Sequence, residues 1–120
     1  MTDDRLQVGR LGEERAVKLL KDKGYSILER NVEDGHGEID IIAIDKGEMV
    51  FVEVRSKTGT NFGLPEETVK YRKKQKLVRN AKRYVNYNNI KKPYRIDVIG
   101  VVLNNQKKPK RIKHYKNITL

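Results

Sequence analysis

The most constraining feature of this sequence is a pair of segments rich in Ile and Val, Glu38 to Ile44 and Met49 to Val54, separated by Asp45-Lys46-Gly47-Glu48. Both segments read as strands, and the four residues between them read as a tight hairpin turn. With Lys46-Gly47 as the loop, Asp45 faces Glu48. Counting outward then puts Asp40 opposite Glu53 and Glu38 opposite Arg55 on one face. The flanking Ile39, Ile41, Val52 and Val54 are apolar, which buries this strand pair. Opposed side chains have Cβ atoms about 5 Å apart. At an effective dielectric near 20, two carboxylates so placed repel by roughly 3 kcal/mol. Two partly buried carboxylates in contact need a shared proton or a cation. An all-oxygen pocket that retains water suits Mg²⁺ or Mn²⁺. The expectation depends on register, because a slip of one residue separates the pair.

The same face carries more chemistry. Glu53, Arg55 and Lys57 alternate to one side of the outgoing strand, with Phe51 below them. A carboxylate pair beside Arg and Lys can hold a metal, orient a phosphate and activate water, which is what phosphodiester hydrolysis requires. The competing reading is a solvated strand end with a Glu38–Arg55 salt bridge.

Helical spacing extends the picture. Gln7 to Lys23 reads as a helix ended by Gly24, with Leu11, Ala16, Leu19 and Leu20 as periodic apolar positions. Glu13 falls on the stripe of Ala16, Val17 and Leu20, whereas Glu14 falls outside it. Tyr25 to Asn31 is a short strand, and Gly59 to Gly63 a polar loop. A second helix is predicted to run unbroken from Pro65 to about Asn88, with Glu66 and Glu67 beside the positive end of its dipole. Its inward stripe is Leu77, Ala81 and Tyr84, and stepping back four residues from Leu77 reaches Lys73. Glu13 and Lys73 thus both point toward the sheet, either as one shared polar site or as charges snorkelling at helix ends. Lys70, Arg72, Lys74, Lys76, Arg79, Lys82 and Arg83 ring the rest of this helix, a face suited to tracking phosphates. Tyr94 to Leu103 is a strong strand and Arg111 to Tyr115 a weaker final one. The order αβββαβ(β) predicts a single α/β domain over residues 1–120 with a mixed sheet.

Charge points to the partner. Residues 1–66 hold 10 basic and 14 acidic side chains, a net of −4, and residues 67–120 hold 17 and 2, a net of +15. A domain so polarised presents a strongly positive face to a polyanion, and nucleic acid is the expected partner. A solubility surface, a ribosomal neighbour or an acidic membrane surface are the alternatives. No apolar run is long enough for a membrane helix. The first residues, Met1-Thr2-Asp3-Asp4, lack the apolar stretch of a signal peptide. The absence of cysteine removes disulfides, thiolate metal sites and thiol nucleophiles, and it suits the reducing cytoplasm.

Taken in order, Gly12-Glu13, Arg30-Asn31, Gly37-Glu38-Ile39-Asp40, Phe51-Val52-Glu53-Val54-Arg55, Phe62-Gly63 with Pro65, Lys73, Ala81, Tyr84 and Arg95-Ile96-Asp97-Val98 resemble the YraN-like family of small bacterial proteins. The likeness runs from about Gly9 to Ile118. That family resembles the restriction-endonuclease-like PD-(D/E)XK nucleases, and among them the archaeal Holliday junction resolvases. The resemblance implies a restriction-endonuclease-like αβββαβ core and a Mg²⁺-dependent endonuclease acting on DNA, including branched or structured DNA, through metal-activated water. It implies Asp40 and Glu53 as metal ligands with the Val54 carbonyl as a third, Glu13 as an assisting glutamate, and a homodimer that cuts two strands. One position departs from the superfamily pattern. Arg55 stands where a lysine is expected, and Lys57, on the same face of the strand, is expected to supply the amine, with Lys73 of the second helix as its competitor. If neither does, the same fold serves as a non-catalytic nucleic-acid-binding module. Asp97 is assigned no chemistry, since packing with Arg95 at a strand start accounts for it.

Overall fold

Around the Lys46-Gly47 turn the chain builds a five-stranded mixed sheet with a long helix on each face, in a computed structural model that describes residues 4–61 and 63–118. Phe62 and the N-terminal Met1-Thr2-Asp3, both used in the sequence reading, lie outside the described residues. The elements are α1 (Asp4–Asp22), β1 (Ser26–Glu33), β2 (Glu38–Asp45), β3 (Glu48–Thr58), a short 3₁₀ turn (Pro65–Thr68), α2 (Tyr71–Tyr87), β4 (Tyr94–Leu103) and β5 (Pro109–Tyr115). The strands lie in the order β1-β2-β3-β4-β5. Only β3 and β4 run parallel, because the chain between them crosses over through α2; the other pairs are antiparallel. This is the α/β order predicted from the sequence.

The three inner strands, β2, β3 and β4, are buried on two faces, as their composition requires. Ile41, Ala43, Val50, Val52, Ile99 and Val101 pack against Val8, Ala16, Val17 and Leu20 of α1. Ile42, Met49, Phe51, Ile96 and Val98 pack against Leu77 and Ala81 of α2. The turn itself has Lys46 at φ 50° and Gly47 at φ 82°, the two left-handed residues that match the twist of a two-residue hairpin. Helix α1 lies so close over β3 at Gly12 that a Cβ there would come within 1.7 Å of the Ser56 hydroxyl.

Several boundaries differ from expectation. Helix α1 begins at Asp4. It ends in a Schellman turn, in which the Tyr25 N–H donates to the Leu20 carbonyl (2.9 Å) and Gly24 takes φ 91°. Tyr25 therefore belongs to the cap, and β1 starts after it and continues to Glu33. The predicted helix from Pro65 to Asn88 is broken in two, since Val69 (φ −86°, ψ 80°) and Lys70 (φ −92°, ψ 179°) leave helical geometry. The cause is tertiary. Glu66 turns inward instead of toward the helix dipole, and it accepts from the Tyr115 hydroxyl (2.7 Å) and pairs with Arg111 of β5 (2.8 Å). Gly100 of β4 leaves the space, since a Cβ there would stand 2.1 Å from Glu66 Oε1. Strand β5 starts at Pro109, earlier than predicted.

Candidate active site

The β2–β3 ladder holds the expected register, from Asp45 opposite Glu48 to Ile41 opposite Val52, and then stops one pair short of Asp40 and Glu53. The reason lies on β1. Arg30 pairs with Ile41 and Val32 with Ile39, which leaves Asn31 opposite Asp40 with a left-handed φ of 53°. A left-handed residue within a strand rolls the ribbon about its axis. The faces accordingly exchange: Ile41 packs toward α1, while Ile39, at the same parity, packs toward α2.

Strand β2 splays from β3 at this point and the Asp40 side chain fills the gap. The Val54 N–H donates to Asp40 Oδ2 at 2.8 Å where a backbone acceptor would otherwise stand. The expected ladder pairing of Asp40 with Glu53 is thus replaced by a carboxyl held between the strands. Glu38, expected opposite Arg55, pairs instead with Glu33 of β1. Because the N–H and C=O of a strand residue point to the same neighbour, the Val54 carbonyl faces the same gap.

Glu53 is buried on the α2 side, at 6% exposure. Its Oε2 lies 3.1 Å from Arg55 Nε and 3.4 Å from Lys73 Nζ. The Arg55 contact is an ion pair without hydrogen-bond alignment, so its buried Nε–H has no acceptor among the described residues. The two acids still meet. Asp40 is pushed up to about 7 by burial, then by the charge of Glu53 and a hydrogen bond between the two carboxyls, against the opposing pull of the Val54 N–H and Lys73. Glu38 is also raised, by burial first and then by the charges of Asp40, Glu33 and Glu13. The notch therefore concentrates negative charge beyond what its own cations offset.

Lys73, in the first turn of α2, is the amine found at Glu53. Lys57 lies on the same face of β3, two residues beyond Arg55 and level with Val102 of β4. Glu13 sits inward as predicted, yet it is held by Arg30 Nε (3.1 Å) and Asn31 Nδ2 (3.0 Å), beside the roll in β1 that shapes the notch. Glu14 stays on the surface and binds the other arm of Arg30 at 2.7 Å. Among the described residues, no three His, Cys, Asp or Glu side chains are grouped closely enough to bind a metal ion by themselves. A donor set of Asp40, Glu53 and the Val54 carbonyl is all oxygen and leaves coordination positions to water, which fits Mg²⁺ or Mn²⁺.

The uncharacterised protein family UPF0102 matches residues 12–101, a segment that contains Glu13, Asp40, Glu53, Arg55, Lys57 and Lys73. The chain belongs to this family. It is 45% identical over 120 residues to a UPF0102 protein of Desulforamulus reducens, covering 98% of each chain. It is 48% identical over 98 residues to one of Persephonella marina, covering 81% of this chain and 84% of the relative. A third, from Caldanaerobacter subterraneus, is 48% identical over 101 residues, 83% of each chain.

In this UPF0102 chain the basic face is real in part. Lys70, Arg72, Lys74, Lys76, Arg79 and Lys82 are exposed, while Leu77, Asn80 and Ala81 form the buried stripe. Arg83 departs from the ring. It turns back to donate to Asp34 (3.2 Å) and to the side-chain oxygen of Asn80 (3.3 Å) and is only half exposed.

The sequence reading missed a buried ionic network on the opposite, α1 face. Asp97 is fully buried and accepts from Arg95 Nε (3.0 Å) and the Asn117 N–H (2.9 Å), with His114 Nε2 at 2.8 Å. Arg95 also reaches Glu48 (2.6 Å), Asp45 (3.2 Å) and the Tyr25 hydroxyl (2.8 Å). Burial alone would raise the Asp97 carboxyl, but these partners hold it below the usual range. The Arg95–Asp97 packing was expected. The signal that could have added His114 is its period-2 spacing from Ile112, which packs in the same core.

Proposed function

We propose that this chain is a cytoplasmic, divalent-metal-dependent endonuclease acting on DNA, with a fold of the restriction-endonuclease-like kind. The observation that carries the reading is the Asp40 carboxyl held on the Val54 N–H in the gap between β2 and β3, next to buried Glu53 with Arg55 and Lys73 on its carboxylate. Asp40, Glu53 and the Val54 carbonyl would hold Mg²⁺ or Mn²⁺. When bound, such an ion lowers the pKa of water and offsets charge on the phosphoryl oxygens.

The chain's own groups do the rest. Asp40 is fixed by the Val54 N–H, so its second oxygen is oriented before any ligand arrives. Arg55 and Lys73 stand where they can bind the non-bridging oxygens of a phosphodiester and stabilise the charge that builds up there. Lys73 is the better candidate for the amine that Arg55 cannot provide, given its 3.4 Å approach to Glu53; Lys57 is the second. Arg55 stays protonated and acts as an electrostatic clamp. The exposed cations of α2 would track the backbone without reading bases. Two strands cut symmetrically would need two copies of the chain, and a homodimer is part of the proposal. The assignment to the cytoplasm rests on a sequence without cysteine.

A second reading has its own observation. Both cations already compensate Glu53 and arginine occupies the lysine position, an arrangement that suits a nucleic-acid-binding module without catalysis. Cleavage of plasmid, single-stranded, flap and four-way-junction DNA in Mg²⁺ or Mn²⁺ separates the two. The nuclease reading expects metal-dependent products from the wild type and none from Asp40→Asn. Salt-sensitive binding without products, in every substrate and both metals, would establish the module instead.

A further inference from the structure

Beside the proposed site, between the β1–β2 hairpin and α2, lies a cavity of about 580 Å³, within the size range of small-ligand pockets. One end is formed by Gly37 and Ile39, next to Asp40 in the chain. The other reaches Tyr84 and Tyr87, in the last turns of α2. Asn80 lines the cavity beside Gly37. It is buried at 5% exposure, and Gly37 approaches it so closely that a Cβ there would stand 2.5 Å from its amide nitrogen.

The charge of this cavity is opposite to that of the helix beside it. Glu29, Glu33 and Asp34 line it, and its one arginine, Arg83, is paired with Asp34 at 3.2 Å. The Tyr84 hydroxyl is taken by Glu29, and its ring is held edge-on to Phe51 at 5.6 Å. Tyr87, by contrast, is 89% exposed, an aromatic surface that the fold does not use. Phosphates would be repelled here while being attracted to the exposed lysines and arginines of the same helix. What fits is an uncharged planar group carrying amino donors: carboxylates accept from exocyclic amines, and the Asn80 amide, whose oxygen accepts from Arg83 at 3.3 Å, can donate its N–H to a base-edge acceptor. Tyrosine faces stack on bases.

Resting on the nucleic-acid reading above, we infer that this cavity takes an unpaired, amino-bearing base from a strand whose backbone lies on α2. The substrate class it names is single-stranded or extrahelical nucleic acid, with the base seated close to the carboxylate notch.

The test uses binding in EDTA at pH 8, so that cleavage plays no part. Labelled oligonucleotides of deoxycytidine, deoxythymidine and deoxyuridine are compared, since cytosine carries an amine at C4 and an acceptor at N3 where the other two carry a carbonyl and an N–H, and deoxyuridine lacks the thymine methyl, with a duplex of equal length as reference. The wild type should prefer the deoxycytidine strand to both others by about fivefold or more. Tyr87→Ala should weaken single-strand binding by about fivefold or more while leaving duplex affinity unchanged, and Tyr87→Phe should restore it. Because Tyr87 is exposed, the variant keeps its core. Equal affinity for the deoxycytidine and deoxyuridine strands would overturn the inference, as would a Tyr87→Ala loss that is the same on duplex. Absence of binding to every nucleic acid at low salt would overturn it together with the nucleic-acid reading. A deoxycytidine preference in a protein that cleaves nothing would overturn only the nuclease reading and leave the pocket standing.

Discussion

A carboxyl buried beside a second carboxylate keeps its proton to higher pH, and Asp40 is raised to about 7 against an unfolded value of about 3.9. A raised folded-state value means that native stability is fully present below the unfolded value and is lost as pH climbs through the folded one. Without metal, the protein should therefore weaken between about pH 4 and pH 7 on account of this residue. Asp40→Asn removes the charge and keeps an oxygen for the Val54 N–H. In EDTA at pH 8 it should be more stable than the wild type by up to about 4 kcal/mol, with the advantage vanishing near pH 4. Urea unfolding at the two pH values checks this, and a less stable variant at pH 8 would show that the acids do not repel. At Glu53 the amines can be ranked. Lys73→Met should cut single-turnover cleavage by orders of magnitude with little loss of DNA affinity, whereas Lys57→Met should be mild. The reverse ranking in the same assay would transfer the role to Lys57.

Among the elements, the hairpin was legible and the start of the second helix was not. The register followed from Lys46-Gly47 because side-chain direction in a strand has a period of two and the turn sets its phase. The end of the ladder was not legible. It depends on Asn31 adopting φ 53° on a neighbouring strand, and no pattern within β2 or β3 encodes that. The stripe that placed Glu13 and Lys73 inward held, since helical period survives a shift of a boundary by a few residues. The unbroken helix from Pro65 failed because Glu66 is claimed by β5, some 45 residues on, a contact that local propensity cannot see. The buried Arg95–Asp97–His114 network also joins distant elements. Removing the charge with Asp97→Asn should cost about 3 kcal/mol, because Arg95 and His114 stay buried with a weaker partner. Since the Asp97 value is lowered in the fold, its contribution is present above the unfolded value and lost as pH falls through the folded one. The variant and wild type should thus converge in acid. Denaturant midpoints at pH 7 and below pH 4 measure both.

Across the whole molecule the charge is sorted. The net of −4 before residue 67 and +15 after it reaches space as an acidic notch and cavity beside a cationic α2. The halves were legible in composition. Their arrangement was not, since Arg83 turns toward Asp34 and leaves the ring. Each phosphate contact made by α2 should contribute about one unit to the slope of log affinity against log salt. Replacing Lys74, Arg79 and Lys82 together by alanine should lower that slope by about 3 and weaken binding to unrelated sequences alike. An unchanged slope would place the nucleic acid on another face.

The central claim is that Asp40 and Glu53 together hold a divalent cation, and Mn²⁺ binding read by electron paramagnetic resonance tests it without requiring catalysis or DNA. Titrated at pH 8, the wild type should bind a single Mn²⁺ that Mg²⁺ displaces, while Asp40→Asn and Glu53→Gln, both folded by circular dichroism, should leave the ion free in solution. Equal binding by all three proteins would contradict the account.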